Sequence, residues 1–277
     1  MEIKQHIGFR NELAPELLSY LRKNSICFSG DKVISSLEIT ESNPHWEQIN
    51  RYIKMYGIST ITETEFSKNE LSQAEWLRIR SIWKNGYPQP ENDYAYEELT
   101  YTREQCCDEC GCGLIQIDAF RLNKQTNWGK RHFFELNWVG DEIFTSNIAK
   151  TVFDKNKITG ITFRCVKNKS NTDRIPDTYQ LAVPFLLEKG LDLERTVFKK
   201  IYICPQCKET KYLHSGRGPI AFKKEIFTDA PDIVKTQEIF GDGHYATRLI
   251  LIRQKVYQTI IENNLEKGLV FEKVELT

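Results

Sequence analysis

A chain of 277 residues that is 40% hydrophobic and 12% aromatic has material for one large core or two smaller ones. Its 38 basic side chains are balanced by 38 acidic ones, so no global field draws it to a polyanion, which argues against nucleic acid as its general partner. The longest aliphatic run, residues 249–252, is far too short to span a bilayer, so no membrane partner is expected.

Residues 1–95 carry no cysteine pair and read as an N-terminal helical region. The opening Met-Glu-Ile-Lys-Gln-His has no apolar core of a secretory signal. Eight cysteines, half of them in two short pairs, then point to a reducing, cytoplasmic setting and to metal rather than disulfides. Leu13, Leu17, Leu18 and Leu21 recur at helical spacing and predict a helix over 13–23. Residues 67–84 predict a second, with Leu71, Ala74, Trp76, Leu77 and Ile79 on its apolar face and an end at Asn85-Gly86. Tyr87-Pro-Gln-Pro-Glu-Asn92 reads as a linker restrained by two prolines. Trp46, Trp76 and Trp83 read as anchors of a core rather than a binding platform.

Two short pairs follow. Cys107-Asp-Glu-Cys110 is succeeded at once by Gly111, and Cys204-Pro-Gln-Cys207 by Lys208. Each Cys-x-x-Cys is a knuckle-shaped chelate, and two of them supply the four thiolates of a closed tetrahedral zinc site. The expected cofactor is one structural Zn²⁺ held by Cys107, Cys110, Cys204 and Cys207. Four thiolates leave no open position for water, so a catalytic zinc is not expected. A redox motif would use a single pair at a helix start, and reduced structural cysteines are the competing reading. Cys106 and Cys112 flank the first pair and leave its ligand choice open, with spacing favouring Cys107 and Cys110. His214 is the one histidine placed to compete as a ligand. Cys27 and Cys165 lie in apolar stretches and read as core residues. Strands are expected on both sides of each knuckle, over 98–102, 113–120, 199–203 and 210–214. Gly111 suits a turn that needs positive φ, whereas Lys208 predicts a looser second turn.

A weak internal repeat runs through this half of the chain. A strand at 143–145, a helix at 147–156 and a strand at 161–166 are echoed at 249–252, 254–264 and 269–274. The helices share an apolar pattern, Ile148, Ala149, Val152 and Phe153 against Val256, Tyr257, Ile260 and Ile261. Each is followed by a glycine, Gly160 or Gly268, and a strand bearing Phe163 or Phe271. Ser146 is a good N-cap for the first helix, and Arg253 stands in that place before the second. A helix between two strands predicts a right-handed βαβ crossover. The expected architecture is α+β: a helical region over 1–95, then two halves over 96–190 and 191–277. Each half is a knuckle hairpin followed by a βαβ unit, and one zinc clamps the duplicated core.

The chain has no Gly-x-Ser-x-Gly, His-Glu-x-x-His or phosphate-loop pattern and no evident nucleophile–base pair, so no catalytic residue is nominated and no enzyme is expected. Gly241-Asp-Gly-His-Tyr-Ala246 matches a dinucleotide fingerprint in letters, but a strand follows where a helix is required, so it reads as a loop.

The pairs Cys107-x-x-Cys110-Gly111 and Cys204-x-x-Cys207, with the βαβ-like segment 141–166, resemble the double-CxxCG family, bacterial proteins that include immunity proteins of polymorphic toxin systems. Ala74-Glu-Trp-Leu77, Gly86-Tyr-Pro-Gln-Pro90 and Leu136-Asn-Trp-Val139 look like family landmarks, and the likeness covers about residues 65 to 277. At Lys208 the chain departs from the family's second glycine. The resemblance implies that the four cysteines are structural ligands and that the partner is a cognate protein toxin, neutralised by binding. The rival is a zinc-ribbon nucleic-acid-binding protein, which would show a basic face with exposed aromatics. An enzyme with an unrecognised site would show a polar cleft with shifted titratable groups. Tyr94, Tyr96 and Arg217 lie in loop-like stretches and are candidate anchors for a partner. The acidic run Glu91, Asp93, Glu97 and Glu98 would steer a basic toxin, a solvated linker face being the plainer reading.

Overall fold

The computed structural model describes residues 1–170 and 173–277. The fold is mixed α/β, mostly strands, with six α-helices among the described residues. None of those helices is long and apolar enough to cross a membrane. Two compact units divide at residues 67 and 68 rather than at 95: Met1–Ser67 with Ser215–Pro219, and Lys68–His214 with Ile220–Thr277.

The first unit contains β1 (Glu2–Arg10), α1 (Pro15–Lys23), β2 (Ser29–Gly30), β3 (Ile34–Thr40), α2 (Trp46–Met55) and β4 (Thr60–Glu65). The strands form one antiparallel sheet in the order β2-β3-β1-β4. The expected helical region is therefore half sheet. Burial alternates along its strands, with Gln5, Ile7 and Phe9 inward on β1 and Ser35, Leu37 and Ile39 inward on β3. Leu17, Leu21, Ile49 and Ile53 of the two helices close the core. The segment Ser215–Pro219 belongs to this unit. Thr64 Oγ1 donates to Gly216 O at 2.6 Å and accepts from Gly218 N at 2.9 Å. Arg217 forks onto Glu41 at 2.9 and 2.6 Å, so its guanidinium is used inside the fold rather than held out as an anchor.

The second unit begins with α3 (Lys68–Gln73) and β5 (Trp76–Ser81), followed by α4 (Tyr96–Thr100), β6 (Tyr101–Thr102), β7 (Ile115–Gln116), β8 (Arg121–Leu122) and β9 (Phe133–Leu136). Then come β10 (Val139–Ser146), α5 (Asn147–Lys155), β11 (Thr162–Asn168), β12 (Arg174–Ala182), β13 (Phe198–Ile203), β14 (Thr210–His214) and β15 (Ile220–Phe222). The chain ends with β16 (Ile233–Lys235), β17 (Ile239–Phe240), β18 (Ile250–Arg253), α6 (Gln254–Glu262) and β19 (Leu269–Leu276).

The helix expected over 67–84 stops at Gln73, and 76–81 is the central strand of a sheet. That strand is buried on both faces: Leu77 and Ile79 enter one core and Trp76 another. Arg78 and Arg80 are each held 3.0 Å from Glu272 on the neighbouring strand. Buried and half-buried positions alternate from Leu77 to Ser81, but the run is short, and Leu71, Ala74 and Trp76 ahead of it complete a spacing that imitates a helix.

Two five-stranded sheets have matching plans, β8-β11-β12-β10-β9 and β15-β19-β5-β18-β16. In the first, α5 connects β10 to β11, which run parallel on either side of the antiparallel β12. In the second, α6 connects β18 to β19 across the antiparallel β5. The strand after each helix has a parallel edge partner, β8 or β15. The strand before each helix has an antiparallel one, β9 or β16. The middle strands are exchanged: β5 precedes the first knuckle yet lies in the second sheet, and β12 precedes the second knuckle yet lies in the first.

The two helices share one core, which takes Ala149 and Phe153 from α5 and Val256, Tyr257 and Ile260 from α6. Phe163 and Phe271 pack against it half-buried. Ser146 caps α5 by accepting from Ala149 N at 3.3 Å. Arg253 provides no such cap, and the Gln254 N–H bonds Glu75 O at 3.0 Å instead. Around the first knuckle the expected strands shrink to the two-residue β6 and β7, because residues 96–100 turn as α4. Around the second, β13 and β14 lie where they were expected.

Asp232 ties the two crossover helices together. Its Oδ2 accepts from Thr159 N at 2.9 Å, Thr159 Oγ1 at 3.0 Å and Lys255 Nζ at 2.9 Å. Burial pushes this carboxyl upward, but Lys255 and the Thr159 donors outweigh it and hold it below the usual carboxylate range. Asp232→Asn should therefore cost about 1–3 kcal/mol at pH 7. A depressed native value gives stability that is complete above the unfolded carboxylate's pKa of about 3.9 and is lost as pH falls through the native value. Urea unfolding of both proteins should show a gap at pH 7 that narrows as pH falls below about 3.9.

Candidate metal centre

The two knuckles are built by the same backbone hydrogen bonds. In the first, Gly111 N reaches Cys107 O at 2.8 Å and Cys107 N reaches Cys112 O at 2.8 Å. In the second, Lys208 N reaches Cys204 O at 3.0 Å and Cys204 N reaches Glu209 O at 2.9 Å. Both turns end on a left-handed residue, Gly111 at φ 72° and Lys208 at φ 65°. The second turn is thus no looser than the first, which corrects the expectation drawn from Lys208. The difference between the two positions is room. A Cβ on Gly111 would collide with the carbonyl of His244, whereas Lys208 turns its Nζ back onto Pro205 O at 2.6 Å. Lysine there accepts the backbone cost of about 1–2 kcal/mol that glycine avoids.

The sulfur atoms of Cys107, Cys110, Cys204 and Cys207 all lie within 4.8 Å of one another. Cys107 and Cys204, 97 positions apart, are 3.7 Å apart at sulfur, and Cys110 and Cys207 are 3.5 Å apart. Four thiolates at about 2.3 Å from a tetrahedral zinc would stand about 3.8 Å from one another, so this donor set fits that ion. Three of the four are buried, and Cys207 is exposed. Cys112 is buried and Cys106 half-buried, but neither joins the group, nor does His214 on β14. Cys27 and Cys165 are exposed rather than in a core. Cys165 shares the face of Phe163 on β11 but lies beyond the cover of the core and is exposed.

Crowding sets the thiols against one another. Burial pushes Cys110 up to about 12. The Glu209 N–H pulls Cys207 down, but burial and the thiols of Cys110, Cys204 and Cys107 carry it to about 12. Burial also raises Cys204, yet N–H bonds from Cys207 and Gln206, with the thiols of Cys207 and Cys110, bring it to about 6. At neutral pH the bare cluster thus favours a thiolate at Cys204 while Cys110 and Cys207 stay protonated. A divalent cation is the counter-charge that lets the remainder ionise.

A residue that sequence reasoning missed supports the cluster. Lys211 of β14 is fully buried, and its Nζ donates to Cys110 O at 3.1 Å, to Tyr245 O at 3.3 Å and to Gly243 O. It pins the glycine-rich segment 241–246, a loop as expected, over the first knuckle. The only trace in the sequence is a lysine on a strand beside a Cys-x-x-Cys. Of the candidate anchors, Tyr96 is 4% exposed and forms part of a core, while Tyr94 is 52% exposed. Within the acidic run, Glu97 is paired with Arg103 at 2.9 Å.

No family model matches this chain, and no curated protein matches it.

Gly111→Ala should destabilise the protein by more than about 1 kcal/mol, since it combines positive φ with a backbone clash. Lys208→Gly should shift stability by less than about 1 kcal/mol. Thermal midpoints of the two variants check this contrast.

Proposed function

We propose that this chain is a zinc-stabilised binding protein that neutralises a cognate protein toxin, of the double-CxxCG immunity type. The observation that carries the metal part is the closed cluster of Cys107, Cys110, Cys204 and Cys207. Four thiolates fill a tetrahedral zinc and leave no position for substrate or water, which supports a structural rather than a catalytic ion. The toxin as partner rests on the cysteine pairs' resemblance to that family. Four free thiols are also suited to a reducing compartment.

A buried cluster of titratable groups is satisfied within the fold. Lys235 Nζ lies 2.6 Å from Glu142 and 3.6 Å from Asp141, and Gln180 donates to Glu142 at 2.8 Å. Glu142 and Lys235 are buried, and their charges answer one another inside the fold.

We infer further that the core is a duplicated unit. Each half would comprise a leading strand, a knuckle, an edge pair and a strand–helix–strand crossover, with the leading strands β5 and β12 exchanged between halves. The matching strand orders and directions of the two sheets support this. So do the matching bridges Lys84 to Glu135 and Leu186 to Lys235, both parallel.

Elemental analysis of freshly purified protein should find one zinc per chain. Cys107→Ser and Cys204→Ser should each lower zinc content and melting temperature together, because metal binding contributes folding free energy, on the order of several kcal/mol here. Co-expression with a toxin encoded beside it should restore growth and yield a complex on size-exclusion chromatography. Absence of both would remove the immunity reading.

A further inference from the structure

Three aromatic rings meet at the surface of the second unit. Trp138 occupies the tight turn between β9 and β10, where Leu136 pairs with Val139. Tyr87 lies 4.5 Å from its ring centroid and Tyr94 4.4 Å. Tyr96 stacks beneath at 6.2 Å and 22°, forming a buried floor. The upper rings stay open: Tyr87 is 40% exposed, Trp138 39% and Tyr94 52%.

These rings stand on costly backbone. Trp138 has φ 67°, Tyr94 φ 58° and its neighbour Asp93 φ 50°. A left-handed conformation costs a non-glycine residue about 1–2 kcal/mol, and a bulky side chain there is a genuine outlier. Glycine or asparagine would serve the turn better. Packing of the buried part of each ring against its neighbours offsets that cost, and what remains is a set of aromatic faces open to solvent.

The charge around the rings is negative. Glu91, Asp93 and Glu98 are exposed. Gln89 Nε2 donates both to Tyr87 O at 3.2 Å and to Glu91 at 3.1 Å, which holds that carboxylate to the ring segment. Arg103, the cation of this stretch, is taken up by Glu97 at 2.9 Å and Asp108 at 3.5 Å. A phosphate backbone would be repelled. A guanidinium would be drawn both to ring faces and to carboxylates, and it stacks on indole where an ammonium does not.

We propose that Tyr87, Tyr94 and Trp138 form a docking platform for an arginine-bearing basic segment of a partner protein, with Glu91 and Asp93 as its counter-charges. This rests on the binding-protein reading and names the surface and the chemistry it recognises. The test uses the full chain and three probes: a nona-arginine peptide, a nona-lysine peptide and a twelve-base oligothymidylate. Calorimetric titration should show the arginine peptide binding more tightly than the lysine peptide, and no binding of the oligonucleotide. Trp138→Gly and Tyr94→Asn should each weaken the arginine peptide by about tenfold. Both substitutions suit the left-handed backbone but remove ring packing, so far-ultraviolet circular dichroism at the titration temperature should show each variant still folded. Equal binding by wild type and both folded variants would overturn the platform, as would preferential capture of the oligonucleotide. Failure to rescue growth while peptide binding persists removes the toxin and leaves the surface. Growth rescue with no peptide binding removes the surface alone.

Discussion

Bringing four cysteine sulfurs within 4.8 Å is the constraint around which the second unit is arranged. Thiols so close cannot all ionise: burial holds Cys110 up, while N–H bonds from Cys207 and Gln206 and the neighbouring thiols bring Cys204 down. A divalent ion held there would turn mutual repulsion into shared coordination and would close a loop of 97 positions. For a covalent cross-link of that span, chain entropy alone amounts to about 4–5 kcal/mol, a large part of a domain's stability.

A clamp at this cluster would act on sheets already interleaved along the chain. β12 completes the sheet of the first crossover and β5, from before the first cysteine pair, that of the second. The shared apolar layer between α5 and α6 joins the two crossovers as well. A metal bound by both knuckles would reinforce an intertwining already present in the sheets. Asp232, on β16's approach, adds a polar tie between the turn after α5 and the start of α6.

Some of this was readable from the residues and some was not. The crossover helices were legible because their apolar faces keep a 3.6-residue period over nine residues and glycines follow them. β5 was not, since its alternation covers only residues 77–81 and the apolar Leu71, Ala74 and Trp76 ahead of it fit a helix. The sheet of the first unit was hidden because polar Gln5 and Ser35 occupy inward positions. At the metal centre, spacing alone selected the four cysteines and left Cys106, Cys112 and His214 open, and the geometry gathers the chosen four. It could not reveal why Gly111 and Lys208 differ, because the answer lies in the approach of His244 from a distant loop. Lys211 escaped for the same reason: its three carbonyl acceptors come from elsewhere in the chain. Tyr96 looked like a loop residue and proved to be the floor beneath exposed rings.

The most direct measurement is X-ray absorption at the zinc edge on freshly purified protein. A single shell of about four sulfur atoms at about 2.3 Å is the result this account predicts. A shell containing nitrogen or oxygen, or a metal-free protein whose unfolding temperature ignores added zinc, would contradict it.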